Sequence, residues 1–417
     1  MEVQYLFMEA MKAALENRTI QWEEKVTAEE WSSFFRLASV QNVIPVVYQS
    51  VYDSPAFQET GAVFAPALKR QVFQSVFQQV QKTQEFINLY GKLKEQGLEP
   101  IVVKGIICRN LYPNPDNRIS GDEDLYIPAG EYDRYKQALA EADMELAEWD
   151  IENEQLSHEV SYNHKGGALR IELHKDLFDG ELSAYKGMNE VFADSFQNSI
   201  LMDVDGLQIR SLNYSDHMLF LIFHAFKHFV SSGFGVRQVC DIVMFANRYG
   251  AQIDWNSVQK KCRGIHADIF AAAVFDIGRK YLGFDWEMAK YAQCWREIEV
   301  DSDNMLKDLL EAGIFGGSDM NRKHSSNITL SAVSAQAEGK KAGNSLLKTL
   351  FPSAEVLQKR YPWLKDRHFL LPFAWIDRIL KYRKETKQGQ NNDASGAVSI
   401  GNRRLELLKE YKILDNE

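Results

Sequence analysis

Residues 118–127, Arg-Ile-Ser-Gly-Asp-Glu-Asp-Leu-Tyr-Ile, place two carboxylates one residue apart at the start of a short apolar run, just after the turn-forming Gly121. On a strand, side chains alternate faces, so Asp122, Asp124 and Tyr126 share one side while Glu123, Leu125 and Ile127 take the other. Neighbouring carboxylates repel unless a cation lies between them. The pair therefore points to a divalent ion, most naturally Mg²⁺ with a phosphate among its ligands.

A third carboxylate follows in Leu169-Arg-Ile-Glu-Leu-His174, where alternation puts Arg170, Glu172 and His174 on one face. If this strand lies beside the first with these faces matched, Asp122, Asp124 and Glu172 converge as a two-ion phosphoryl-transfer site, with Glu172 placed to act as the base. Upstream, Val102-Val-Lys-Gly105 ends a β-branched run, where Gly105 allows close approach of a phosphate and Lys104 adds a charge for a triphosphate. Arg118 is a second candidate phosphate ligand, because guanidinium binds phosphate oxygens bidentately.

These residues need a sheet, and the flanking sequence supplies one. Strands are expected at Leu98–Val103 and Asp122–Ile127, a helix at Glu131–Leu146, and a β-hairpin from His158–His164 and Ala168–His174 around Lys165-Gly-Gly167. Residues 1–95 read as helical, with Thr27-Ala-Glu-Glu30 as a capping box. From Asp216 onward the pattern predicts helices near 215–230, 236–249, 254–263, 267–281 and 303–313. The stretch 316–345 reads as a loop and 387–399 as a linker.

The expected fold class is α+β: a small mixed β-sheet core at 96–212, an N-terminal helical region at 1–95, a helical domain at 213–315, and a loop and helical tail at 316–417. The active-site cleft is expected between the core and the helical domain. Across it, Lys227 and Arg237 would reach a nucleotide or acceptor, while Asp241 pairs with Arg237 at i, i+4. His217, His224 and His228 share one helical face. No glutamate follows His224 as a zinc-protease pattern requires, so a structural role at the interface is expected of them.

With 417 residues and 45% hydrophobic content, the chain is long enough for a large core and for two or three domains. A formal charge of −10 speaks against a general nucleic-acid binder. Cys108, Cys240, Cys262 and Cys294 form no Cys-x-x-Cys pair, so they are expected to be reduced thiols. The N-terminus shows no secretory pattern and the apolar runs are too short to cross a bilayer, which predicts a cytoplasmic protein. Residues 351–417 carry 13 Lys or Arg against 9 Asp or Glu, a net of +4, leaving −14 for the rest. Within them, Phe369–Lys384 is a basic amphipathic stretch suited to a membrane surface or a protein partner; packing on the chain's own core is the expected role.

The order Val-Lys-Gly105, Tyr112-Pro, Arg118-x-x-Gly-Asp-x-Asp-Leu125 and Glu172-Leu-His174 resembles the uncharacterised nucleotidyltransferase family of the DNA polymerase beta-like superfamily. The resemblance runs from about residue 30 to about residue 385 and takes in Phe223-His-Ala-Phe-Lys-His-Phe229, Gly233–Asp241, Leu350-Phe-Pro-Ser and Leu371-Pro-Phe-Ala-Trp-Ile. It implies that Asp122, Asp124 and Glu172 hold Mg²⁺ for transfer of a nucleoside monophosphate from an NTP to an unidentified acceptor, with release of pyrophosphate. Lys104, Gly105, Arg118, Gly121, His174, Lys227 and Arg237 form the expected nucleotide-binding set. Two features depart from the superfamily pattern. Ile106 follows Gly105, and the spacing to Asp122 is long, which favours the rival reading of an inactive nucleotide-binding or protein-interaction module.

Overall fold

The computed structural model describes residues 2–22, 25–152, 154–313, 320–339, 354–357, 361–364, 367–377 and 394–415. The N-terminal region carries α1 (Val3–Leu15), α2 (Ala28–Val40), α3 (Ile44–Val51) and α4 (Ala65–Glu95). Thr27 and Glu30 close the expected capping box at the start of α2. Trp31, Phe34 and Phe57 lock these helices into the core through edge-to-face ring contacts.

The sheet comprises β1 (Ile101–Val103), β2 (Glu123–Tyr126), β3 (Met144–Leu146), β4 (Glu159–His164), β5 (Arg170–His174), β6 (Ile200–Val204) and β7 (Leu207–Ser211). Its order is β3-β4-β5-β2-β1-β7-β6. The β2–β5 and β1–β7 pairs are parallel and the other four antiparallel, so the sheet is mixed as expected. Val102, Leu125, Ile171 and Leu173 are buried within it.

Helices α5 (Gly105–Arg109) and α6 (Tyr132–Glu141) are embedded in the sheet region. The C-terminal half adds α7 (Tyr214–Val230), α8 (Val236–Tyr249), α9 (Trp255–Gly264), α10 (Asp268–Tyr281), α11 (Gln293–Arg296), α12 (Asp303–Ala312), α13 (Met320–Ala337) and a C-terminal helix, Ala394–Glu410. One hydrophobic cluster runs from Leu6 in α1 through the sheet to Leu414. No helix among the described residues is long and apolar enough to cross a membrane.

The fold corrects the sequence-based expectations at four places. The helix expected over 131–146 stops at Glu141; Asp143 turns the chain with φ 60°, and Met144–Leu146 becomes an edge strand on β4. The β6–β7 hairpin was not foreseen, although Asp205-Gly206, with φ values of 52° and 83°, is the Asp-Gly turn that joins two strands most readily. Residues 320–337, expected in a loop, form α13. Its buried face mixes Asn321, Arg322, Ser325 and Thr329 with Ile328, Ala332 and Val333, so the apolar periodicity is weak and absent from its first two turns. Of the expected linker, 394–399 begins the C-terminal helix, and 387–393 lies outside the described residues. In the basic amphipathic stretch, residues 371–377 are helical, and Arg378, Lys381, Arg383 and Lys384 lie outside the described residues.

Candidate functional site

Strand register assembles the acidic residues. β5 runs parallel to β2 with Asp124 opposite Glu172 and Tyr126 opposite His174, so Asp124 and Glu172 share a face as alternation requires. β4 adds Glu159 opposite His174 and Ser161 opposite Glu172. On the other side β1 is antiparallel with Val103 opposite Asp124, which brings the next residue, Lys104, against the acidic face.

The metal-capable donor atoms of Asp124, Glu172 and His174 all lie within 4.8 Å of one another. His174 Nε2 is 3.3 Å from Asp124 Oδ1, and its Nδ1 is 3.7 Å from Glu159 Oε2. Lys104 Nζ is 2.9 Å from Asp124 Oδ2. Among the described residues that ammonium is the oxygen's one close partner, so a cation already sits there. Arg170 Nη2 donates to Glu172 Oε1 at 3.0 Å. Asp122 is half-buried just before β2 and lies outside the three-residue cluster. Its charge nevertheless acts on Lys104 and Glu172.

These neighbours set the protonation states. Burial together with Asp122 and Asp124 pushes the Glu172 carboxyl up to about 7. Burial would also raise Asp124, but Lys104 and His174 outweigh it and hold Asp124 below the usual carboxylate range. For Lys104, burial opposes the charge, and Asp124, Asp122 and Glu172 more than offset it, so the ammonium stays protonated. The site thus holds one firmly ionised acid beside one that titrates near neutrality. A carboxyl that titrates near the working pH is suited to accept a proton.

The helical wall is α7. His217 Nε2 accepts the Lys104 backbone N–H at 3.2 Å, and its Nδ1 faces Ser211 Oγ at 3.1 Å. Burial keeps His217 and His228 neutral, with values lowered to about 3. Lys227 Nζ lies 3.9 Å from Glu159, which links it to the cluster through His174.

Several expected nucleotide ligands have other partners. Arg118 is buried and donates to Asp241 through Nε at 2.7 Å and Nη2 at 2.5 Å, with Tyr112 Oη donating to the same carboxylate at 2.8 Å. Asp241 therefore pairs with Arg118, 123 residues away, and not with Arg237. Arg237 instead donates to the Ile119 carbonyl, so both guanidiniums clamp the loop before β2 onto α8. Gly105 has φ 27°, and a Cβ there would meet Glu123 Oε2 at 2.0 Å. That oxygen accepts the Ile106 N–H at 2.6 Å, so the glycine makes room for an internal carboxylate where a phosphate was expected. Gly121 is exposed at the turn into β2.

Sequence reasoning passed over Glu159, Gln238 and Lys82. Lys82 reaches the Ser120 carbonyl at 3.0 Å from α4, and nothing in local periodicity marks such a residue. Glu159 was detectable, because hairpin register from Gly166-Gly167 puts it opposite His174.

The profile for uncharacterised nucleotidyltransferases matches residues 27–283. Among solved structures, an antigenic nucleotidyltransferase-like protein from Paracoccidioides brasiliensis is 15% identical with a TM-score of 0.27, covering 42% of this chain and 76% of its own. The comparison with curated proteins found no match. Since residues 27–283 are more than half of the 417, the chain belongs to the uncharacterised nucleotidyltransferase family.

Proposed function

We propose that this protein is a divalent-metal-dependent nucleotidyltransferase that moves a nucleoside monophosphate from an NTP to a hydroxyl or amine acceptor. The observation that carries the reading is the in-register Asp124–Glu172 pair, whose donor atoms and those of His174 lie within 4.8 Å of one another. Residues 96–212 would supply the catalytic core and 213–315 the facing wall, acting in the cytoplasm.

The donor set fits a metal. Asp124 and Glu172 offer hard carboxylate oxygens suited to Mg²⁺, with Asp122 close enough to add its charge. Bound there, Mg²⁺ would neutralise charge on the phosphates and the leaving group. Glu172 would complete the metal site or take the acceptor's proton as the acceptor attacks the α-phosphorus. The bond to the β-phosphate bridging oxygen breaks, and pyrophosphate leaves with that electron pair. Lys104 and, farther out, Lys227 offset charge on the triphosphate. The overall charge of −10 makes a small molecule or a protein side chain a better acceptor than an RNA end.

A second reading has its own observation. The Ile106 N–H goes to Glu123, and Nε and Nη2 of Arg118 go to Asp241, so two expected phosphate contacts are internal, as a binding module without turnover would tolerate. Calorimetry of NTP binding with and without Mg²⁺, beside a pyrophosphate-release assay, separates the two. Mg²⁺-dependent binding that disappears in Asp122→Asn/Asp124→Asn, with release of pyrophosphate by the wild type, supports the enzyme. Binding without turnover across an acceptor screen supports the module, and no NTP binding by the wild type defeats both.

A further inference from the structure

Lys104 occupies the place where a cation is wanted. Its ammonium is 2.9 Å from Asp124 Oδ2, and among the described residues no other carboxylate is within ion-pair distance of it. Its remaining close neighbour is His224 Nε2 at 3.3 Å. Gly235 N–H donates to Gln238 Oε1 at 2.9 Å, which turns Gln238 Nε2 toward His224 Nδ1 at 3.3 Å. In this network Nδ1 accepts, and the ring proton sits on Nε2, facing His228 Nε2 at 3.3 Å. Burial, then Lys104 and His228, keep that ring neutral. An ammonium and an N–H, both donors, therefore meet at His224, and attraction by Asp124 is opposed from the other side.

The backbone under this side chain is fixed. Lys104 has φ 56°, its N–H is held by His217 at 3.2 Å, and its carbonyl accepts the Cys108 N–H at 2.9 Å. Movement is left to the four-carbon stem.

We infer that Lys104 is a built-in counter-ion that holds the cation position at Asp124 in the resting site and gives it up only when metal and triphosphate arrive together. A divalent ion alone must drive the ammonium off its one carboxylate toward a donor-lined wall. A triphosphate offers the same ammonium new oxygens, so nucleotide and metal bind cooperatively. The inference rests on the nucleotidyltransferase reading and adds an order of binding to it.

The test is Mn²⁺ binding to the full chain, followed by electron paramagnetic resonance with and without α,β-methylene-ATP. Wild type, Lys104→Met, Lys104→Arg, Asp124→Asn and the Lys104→Met/Asp124→Asn double variant are compared. Lys104→Met is expected to bind Mn²⁺ alone about tenfold or more tighter than wild type and to lose most of the enhancement by the analogue, because the competing charge is gone. Lys104→Arg keeps the wild-type pattern. Lys104→Gln replaces the Met variant should the latter fail to give a native melting transition. Equal or weaker Mn²⁺ binding by the uncharged variants overturns the inference, and if Asp124→Asn still abolishes binding the parent reading survives that result. Tight Mn²⁺ binding that persists in the double variant places the ion elsewhere and overturns both.

Discussion

The two faces of β2 carry acids one residue apart and treat them in opposite ways. Glu123, on one face, has both oxygens satisfied: Arg109 Nη1 at 2.8 Å and Ser120 Oγ at 3.3 Å on Oε1, and the Ile106 N–H at 2.6 Å on Oε2. Asp124, on the other, is equally buried but leaves Oδ2 to an ion-pair contact alone. A saturated acid is a structural pin. An unsaturated one keeps ligand capacity, and that difference separates framework from site on a single strand.

Breaking the framework face should give the largest effect. Glu123→Ala leaves Arg109 buried and unpaired and is expected to cost about 3–5 kcal/mol in denaturant unfolding, whereas the Lys104→Met/Asp124→Asn double variant, which removes both partners of the other ion pair, should cost about 1 kcal/mol and abolish Mg²⁺-dependent NTP binding. Equal destabilisation by the two would erase the contrast. Asp241→Asn, which weakens the buried bidentate partner of Arg118, should cost about 2–3 kcal/mol in the same assay. Should its effect fall on NTP affinity with stability intact, Arg118 belongs to the site after all. Gly105→Ala drives a Cβ into Glu123 and is expected to cost about 2 kcal/mol, read as a lowered midpoint of thermal unfolding.

The site face gives a pH signature. Glu172 moves from 4.5 to about 7 on folding, so its contribution to stability is fully present below 4.5 and is lost as pH rises through about 7. Relative to Glu172→Gln, the wild type should therefore lose on the order of 1–3 kcal/mol between pH 4.5 and pH 8 in chemical unfolding. A parallel pair of stability curves would remove the raised carboxyl from the site. Lys227→Met is the smallest expected change: within about 0.5 kcal/mol in stability, because its ion pair is long and partly exposed, with a few-fold loss of NTP affinity by calorimetry.

Much of this contrast was legible in the amino-acid order. Alternation put Asp124 and Glu123 on opposite faces, and Lys165-Gly-Gly167 set the hairpin that aligns Glu159 with His174. Helices α7–α10 and α12 emerged from apolar periodicity within a residue or two of their observed bounds. Legibility failed where burial is partly polar, as in α13, whose hidden face dilutes Ile328, Ala332 and Val333 with Asn321, Arg322, Ser325 and Thr329. It failed again for Arg118, because a buried arginine and a phosphate-binding arginine look alike until the nearest carboxylate is known.

What the sequence determined by itself is local and periodic: which residues are strands, which side each carboxylate takes, and which glycines turn the chain. Those follow from the two-residue repeat of a strand and the steric rules of the backbone, neither of which needs a distant partner. Only the tertiary structure decided which cation meets which acid. Lys104 reaches Asp124 through the β1–β2 register, Arg118 is claimed by Asp241 from α8, and Glu123 fills the space beside Gly105. Charge pairing in a buried site depends on a few ångströms between segments far apart in the chain, and that separation is set by packing alone.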